Sequence, residues 1–150
     1  MFREMRRKKQ MLSNEEAVEI LKSHATGVLG VSGDDGYPYT VPINYTYQDG
    51  RLFFHCAKEG HKLDAIRRSE KVSFCVIDQD EVVPAKFATR YRSVIAFGRA
   101  RILETDSKRR AALESLVDKY SPGYYAEGQA EIEKDWARVC LIEVYIEHLT

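Results

Sequence analysis

The chain has 150 residues, a length that forms a single domain and is too short for a multidomain protein. Hydrophobic residues make up 44% of it and charged residues 31%, values typical of a folded globular protein and not of a disordered one. The 23 basic residues balance 23 acidic residues, so no net charge draws the chain to nucleic acid or to an anionic membrane. We expect one domain over residues 1–150 that binds neither.

The cysteines indicate the redox compartment. Cys56, Cys75 and Cys140 are odd in number and form no CxxC pair, which favours free thiols over a disulfide framework or a zinc site. We therefore predict a cytoplasmic protein with no metal site. Residues 1–12 are basic but lack the apolar core of a signal peptide, and no apolar run approaches the roughly 20 residues that cross a bilayer. They are predicted to form an exposed basic arm.

The first predicted elements are a helix and a long hairpin. Ser13 and Glu16 are spaced as in a capping box, which predicts a helix from Asn14 to about Ser23. Two β-rich segments follow, at Thr26 to Ser32 and at Tyr37 to Tyr47, with an Asp-Asp-Gly turn between them.

Two prolines interrupt the second of these strands. Pro38 and Pro42 cannot donate to a β-ladder, so this strand should lie at a sheet edge or carry a bulge. Backbone groups near Val41 to Asn44 are then free to contact a ligand. A third strand, Arg51 to Ala57, follows the next turn, and the three strands are predicted to form an antiparallel meander.

A candidate anion site follows the third strand. Gly60, His61 and Lys62 stand at the predicted start of a short helix, where unpaired N–H groups and the positive dipole end favour an anion. Gly60 permits close backbone approach, and the other two residues add positive donors. Phosphate is the predicted ligand. The alternative is an ordinary turn followed by a solvated lysine.

The second half of the chain adds three predicted strands and one main helix. The strands are Val72 to Asp78, Arg90 to Leu103 and Arg138 to His148. Gly98 should bend or bulge the middle strand. The helix begins at Thr105 or Asp106, and its apolar stripe is interpreted as core packing. Residues 79–88 are predicted to be a loop. The sequence does not decide whether residues 124–136 form a loop or a helical turn.

Six strands without βαβ alternation predict a mainly β fold, an antiparallel β-barrel with peripheral helices. No nucleophile elbow, HExxH, GxGxxG or nucleotide phosphate loop occurs in the sequence. His55 and His61 are the only histidines near each other, and they lack the further ligands that a metal needs.

The order of these segments resembles the FMN-binding split-barrel family. Within it, the chain is similar to the branch related to pyridoxamine 5′-phosphate oxidase that includes the nitroimidazole resistance proteins. The resemblance covers nearly the whole chain, and it implies a six-stranded antiparallel split barrel. It rests on four runs in the right order, Thr26 to Val31, Gly36 to Tyr45, Phe53 to Leu63 and Tyr91 to Gly98.

The resemblance also implies which residues bind FMN. They are Val41, Pro42, Ile43 and Asn44 along the isoalloxazine ring, His55, Cys56 and Ala57 beside the flavin, His61 and Lys62 on its phosphate, and Arg92 and Ser93 from a second subunit. A homodimer with FMN at the subunit interface is therefore implied. In nitroimidazole-resistance relatives the histidine at the His55 position faces the pocket near the ring. This makes His55 the candidate catalytic residue, which orients the acceptor or supplies a proton.

The implied function is that of an FMN-dependent oxidoreductase with nitroreductase-type activity. Electrons would pass from a reduced donor, NADH or NADPH, to a small planar acceptor such as a nitroaromatic or a quinone. Two alternatives stay open, a non-catalytic FMN-binding sensor or storage protein, and a haem-binding split barrel that uses His55 or His61 as an iron ligand.

Two departures refine this expectation. The vitamin-processing oxidase carries an Arg and a His one residue apart in a C-terminal substrate motif, which Ile146 to Thr150 lacks. Oxidation of pyridoxamine phosphate is therefore not expected. Residues 79–86 carry no deazaflavin signature, so FMN is the favoured cofactor.

Overall fold

The computed structural model describes all 150 residues of the chain, which form four α-helices and seven strands. The helices are α1 (Asn14–Ser23), α2 (His61–Arg68), α3 (Asp106–Tyr120) and α4 (Tyr125–Asp135). The strands are β1 (Thr26–Ser32), β2 (Pro38–Asn44), β3 (Thr46–Gln48), β4 (Arg51–Ala57), β5 (Lys71–Val83), β6 (Ala88–Ile102) and β7 (Val139–Leu149). None of the helices combines the length and the apolar character that crossing a membrane requires.

All seven strands belong to one antiparallel sheet in the order β2-β1-β5-β6-β7-β4-β3. Its two edge strands, β2 and β3, are consecutive in the chain and are joined by Tyr45 alone. The sheet must therefore curl until its two edges meet at this residue. No strand pairing joins β2 to β3 or β4, so the resulting barrel is open along that line.

The prediction of six strands and a three-stranded meander is wrong at this point. The segment from Tyr37 to Tyr47 divides at Tyr45 into β2, which pairs with β1, and β3, which pairs with β4. The two hairpins lie at opposite ends of the sheet. The strand breaks because Tyr45 is wholly buried and donates its backbone N–H to the Tyr120 hydroxyl, 2.8 Å away, instead of to a neighbouring strand.

Other expectations about local structure are confirmed. α1 begins and ends as predicted, and Ser13 and Glu16 form both hydrogen bonds of the capping box. β2 is an edge strand, as Pro38 and Pro42 require. The pairing of β6 with β7 shifts register at Gly98, where a Cβ atom would collide with the backbone of β7.

Two segments are more regular than the sequence predicts. The expected loop at residues 79–88 shrinks to a turn at Pro84–Lys86, because β5 and β6 continue as a long hairpin. Residues 125–135 form the helix α4. With α4 and the full length of α3, the fold is mixed α and β rather than mainly β.

The sheet carries a hydrophobic cluster on each face. The larger cluster fills the curled sheet, where the Phe74 ring meets the rings of Tyr45 and Phe54 edge-on at 4.8 and 5.3 Å. The smaller cluster lies on the outer face, where Leu116 of α3 and Ile132 of α4 cover β7. α3 and α4 therefore build a second layer outside the barrel.

The basic N-terminal arm is mostly exposed but lies against the sheet. The Phe2 ring stacks on the His148 ring with their centroids 4.8 Å apart. Met5 and Leu12 are half-buried and line a cavity beside β6.

A hydrogen-bonded network holds the break between β2 and β3. The Tyr120 hydroxyl accepts from the Tyr45 N–H and lies within donating distance of the carbonyls of Tyr45 and Ala25. The Tyr45 hydroxyl donates to the Leu21 carbonyl at 2.6 Å. Lys119 donates to the Tyr45 carbonyl at 2.9 Å and lies over the Tyr45 ring, and burial lowers the pKa of this lysine to about 8.

We expect Tyr120→Phe to lower the free energy of unfolding by about 1–3 kcal/mol, because it leaves the buried Tyr45 N–H without a partner. Urea unfolding measures the change. Tyr124→Phe removes the same hydroxyl from an exposed tyrosine four residues further on and serves as the matched control. Equal stability of the two variants would contradict the role of Tyr120 at the break.

Candidate functional site

The opening of the barrel leaves two strand edges unpaired. β2 pairs only with β1, and β3 covers only Arg51–Phe53 of β4. The backbone of Val41–Asn44 therefore has no strand partner on the side away from β1. The backbone of His55–Ala57 has none on the side away from β7. Pro42, Ile43, Asn44 and His55 line a common cleft of about 360 Å³. The structure thus brings together these parts of the two segments that the sequence singled out.

A second cleft adjoins the first on the outer face of the sheet. It measures about 270 Å³ and shares Asn44 and His55 with the first cleft. Its remaining lining comes from the second layer and the start of β7, namely Leu113, Leu116, Val117, Tyr120, Ser121, Glu131, Ile132, Asp135 and Val139. The apolar stripe of α3, interpreted from sequence as core packing, packs against α4 and also forms a wall of this cleft.

His55 lies at the junction of the two clefts. Its side chain points to the outer face of β4, away from the barrel core. Desolvation in the clefts lowers the pKa of the imidazole, the positive charge of Lys62 lowers it further, and the negative charge of Asp135 opposes both effects. Neutral imidazole is therefore the main form at pH 7, with one ring nitrogen as donor and the other as acceptor.

Cys56 lies on the opposite face of β4 from His55. Its side chain packs against the barrel core, directly across the strand pair from Cys140. Burial raises the pKa of the Cys56 thiol to about 11, so it stays protonated and is a poor nucleophile. Any contact between Cys56 and a ligand in the cleft is made by the backbone.

The start of α2 supplies positive charge beside β4. Gly60 precedes the helix with φ of 147°, a conformation that side chains rarely adopt. Lys62 is half-buried and takes part in none of the ion pairs of the chain. Its charge lowers the pKa of both His55 and Cys56, which places the ammonium near the end of β4.

His61 lies on the other side of the same helix start. Its ring stacks on the Tyr39 ring with their centroids 4.0 Å apart. The His61 Nε2 atom is buried without a hydrogen-bond partner, 3.7 Å from the Asp34 carboxylate, which pairs with Arg68 at 2.9 Å. A buried polar atom without a hydrogen-bond partner is costly, so this nitrogen is a strained feature of the helix start.

Arg92 and Ser93 line a different cavity. This cavity of about 570 Å³ lies between β6 and the N-terminal arm, and its lining does not include His55 or Asn44. The Arg92 guanidinium lies 3.7 Å from the carboxylates of Glu16 and Asp78, and its buried Nε atom has no hydrogen-bond partner. Within one chain, these two residues do not join the clefts at β4.

The sequence did not identify Glu131, Asp135 and Tyr120 as site residues. The two acids are one turn apart on α4, a spacing visible in the sequence once residues 124–136 are known to be helical. Nothing in the sequence shows that α4 lines the same cleft as His55. No group of three or more His, Cys, Asp or Glu side chains is arranged to hold a metal ion.

The sequence pattern of the pyridoxamine 5′-phosphate oxidase family matches residues 13–150, and the chain belongs to this family. The family resemblance found in the sequence is confirmed. Members of the family bind flavins. A search of curated proteins found no significant match.

Solved structures share the fold. A candidate 5-nitroimidazole antibiotic resistance protein from Bacteroides thetaiotaomicron has a TM-score of 0.78 at 20% identity over 93% of this chain and 82% of that chain. A FAD-binding protein from Mesorhizobium loti gives 0.64 at 24% identity, with 92% of each chain covered. A FAD and haem binding protein from Mycobacterium smegmatis gives 0.77 at 23% identity over 91% of this chain and 69% of that one. The open barrel is thus the split barrel of this family.

The lowered pKa of His55 predicts a pH-dependent contribution to stability. Below the ordinary value of 6.5, the unfolded chain takes up a proton at this residue before the folded one does. The free energy of unfolding should therefore fall as the pH drops from 7.5 to 5, and His55→Gln should lose part of this fall. Urea unfolding at both pH values tests it. Identical pH dependence in both proteins would show that His55 is not desolvated.

Proposed function

We propose that the chain binds FMN along the opening between β2 and β4 and acts as an oxidoreductase. Electrons pass from a reduced donor, NADH or NADPH, to a small planar acceptor such as a nitroaromatic or a quinone. The observation that carries this proposal is the meeting of two unpaired strand edges at the opening, with the unpaired cation of Lys62 beside it. Bound FMN would supply the redox chemistry.

The residues at the opening suit the parts of FMN. Lys62, the start of α2 and the unpartnered His61 Nε2 would hold the phosphate, which needs positive charge and N–H donors. The free backbone edge of Val41–Asn44 would hydrogen-bond the polar rim of the ring system. Cys56 and Ala57 would contribute backbone groups.

A second copy of the chain would complete the site. The β5–β6 hairpin exposes large apolar side chains at Ile77, Val82, Phe87, Tyr91 and Ile95. Exposed apolar patches of this kind favour a protein partner. We therefore propose a homodimer in which Arg92 and Ser93 of one subunit reach the flavin of the other.

His55 is proposed to act on the acceptor. A quinone that gains two electrons also takes up two protons, and a nitro group does the same as it becomes a nitroso group and water. At the junction of the two clefts, neutral imidazole can orient such an oxygen atom by hydrogen bonding. The imidazolium form, which takes its proton from solvent and is the minor species at pH 7, can deliver one proton to that atom, and the second proton would come from solvent.

Two other functions stay open beside this proposal, and the names of relatives bear on the ligand alone. FAD is the flavin of the Mesorhizobium loti protein, and the Mycobacterium smegmatis protein binds both FAD and haem. A non-catalytic flavin-binding sensor would use the same opening.

A cytoplasmic location is proposed on the three free thiols alone.

The absorbance spectrum of the purified protein, with the mass of the cofactor released on denaturation, tests the proposal. We expect a flavin spectrum and the mass of FMN. The mass of FAD would show that FAD is the cofactor in place of FMN, and a Soret band would show that haem is bound. Failure to take up added flavin would refute the flavin site. Stopped-flow reduction by NADH and NADPH, followed by reoxidation with nitroaromatics and quinones, separates an enzyme from a sensor. Reoxidation no faster than that of free flavin would support the sensor.

Lys62→Ala should weaken FMN binding by about 1.5–3 kcal/mol, tenfold or more in dissociation constant, because it removes a charge-assisted phosphate contact. Quenching of flavin fluorescence on titration measures this. Lys58→Ala removes the same charge from an exposed position in the preceding turn and should have little effect. An equal loss of FMN affinity in the two variants would show that the effect comes from the overall charge of the protein and not from a contact with the phosphate.

His55→Gln should lower turnover of the acceptor about 10²-fold or more, while FMN stays bound, since a positioned proton donor contributes about 10²–10⁴ in rate. Steady-state assays with a quinone at several pH values measure the change. Unchanged turnover of every acceptor tried would remove His55 from the chemistry.

A further inference from the structure

We propose that the cleft between β4 and α4 is the acceptor subsite and that it selects by charge, taking flat uncharged or cationic molecules and rejecting anionic ones. The identity of its occupant as the electron acceptor rests on the proposed function. The charge preference of the cleft rests on its own lining.

The shape of the cleft suits one small ring system. Leu113, Leu116 and Val117 of α3 form an apolar wall, and Ile132 of α4 adds to it. Asn44 and His55 lie at its junction with the cleft along the opening and supply polar groups. Small-molecule sites combine apolar walls with a few polar groups in this way.

The charge of the lining has one sign. Glu131 and Asp135 are its only charged side chains, and no lysine or arginine belongs to it. Arg138 pairs with Asp135 at 2.7 Å and Lys134 lies 4.0 Å from Glu131, and all four side chains are exposed to solvent, Asp135 by 49% and Glu131 by 65%. Such surface pairs are weak, so the negative potential in the cleft is only partly offset. The charge of Asp135 reaches His55, whose pKa it raises against the effect of burial.

The nearby cations are already engaged. Lys119 donates to the Tyr45 carbonyl, and Lys62 is assigned to the flavin phosphate. A phosphorylated or carboxylated acceptor would therefore meet two carboxylates whose charge the surface cations offset only in part.

The single tryptophan of the chain gives a readout that does not depend on turnover. Trp136 directly follows Asp135, and its ring packs under the Arg109 guanidinium at 4.2 Å. Nitroaromatic compounds quench tryptophan fluorescence, so binding in the cleft can be titrated with and without flavin. The probes are 4-nitrobenzyltrimethylammonium, 4-nitrobenzamide and 4-nitrobenzoate, which share a ring and a nitro group and differ in charge.

At low salt, the cationic and neutral probes should bind about tenfold tighter than 4-nitrobenzoate, and the difference should narrow as salt screens the carboxylates. Glu131→Gln combined with Asp135→Asn should bring the three dissociation constants within about twofold of one another. Glu131→Gln alone, which spares the Arg138 pair, should move them in the same direction. Glu127→Gln removes a charge from an exposed position on α4 and should leave the preference unchanged.

Equal or tighter binding of 4-nitrobenzoate to the unmodified protein would overturn the proposal, as would quenching that does not saturate with any probe. An equal effect of Glu127→Gln would assign the preference to the general field of α4 and also overturn it. The proposed oxidoreductase function is tested separately. If the cleft binds the probes with the expected charge preference but the protein never passes electrons to an acceptor, charge selection by the cleft would be supported and the oxidoreductase function refuted.

Discussion

The hydrogen bond from the Tyr45 N–H to the Tyr120 hydroxyl is the interaction on which the functional part of the structure depends. It takes the place of a ladder bond at the point where one extended segment leaves β1 and joins β4. At this break the chain passes from one edge of the sheet to the other, and the opening of the barrel lies between those edges. The same hydroxyl belongs to α3, so the second layer and the opening are built by one contact.

Electrostatics divides the site into two regions with His55 between them. On one side stand Lys62 and the start of α2, which favour an anion. On the other side stand the α4 carboxylates, which oppose one. Burial and Lys62 lower the pKa of His55 and Asp135 raises it, so the imidazole responds to both regions. A phosphate-bearing cofactor and an uncharged or cationic acceptor fit this division.

The split barrel recurs in structures with 20 to 24% identity, so it tolerates extensive substitution. The walls of the cleft proposed for the acceptor come from α3 and α4, outside the barrel core. Segments carried on a rigid scaffold can change without disturbing its core, which makes them the natural place for specificity.

The sequence by itself determined the features whose causes are local. The capping box at Ser13, the edge strand at Pro38 and Pro42, and the bulge at Gly98 follow from backbone chemistry within a few residues, and the ordered motifs identified the family. Only the tertiary structure decided the break at Tyr45, because its partner is 75 residues away. It likewise decided that Glu131 and Asp135 of α4 line the same cleft as His55, since the polar spacing of a helix does not say which strand it faces.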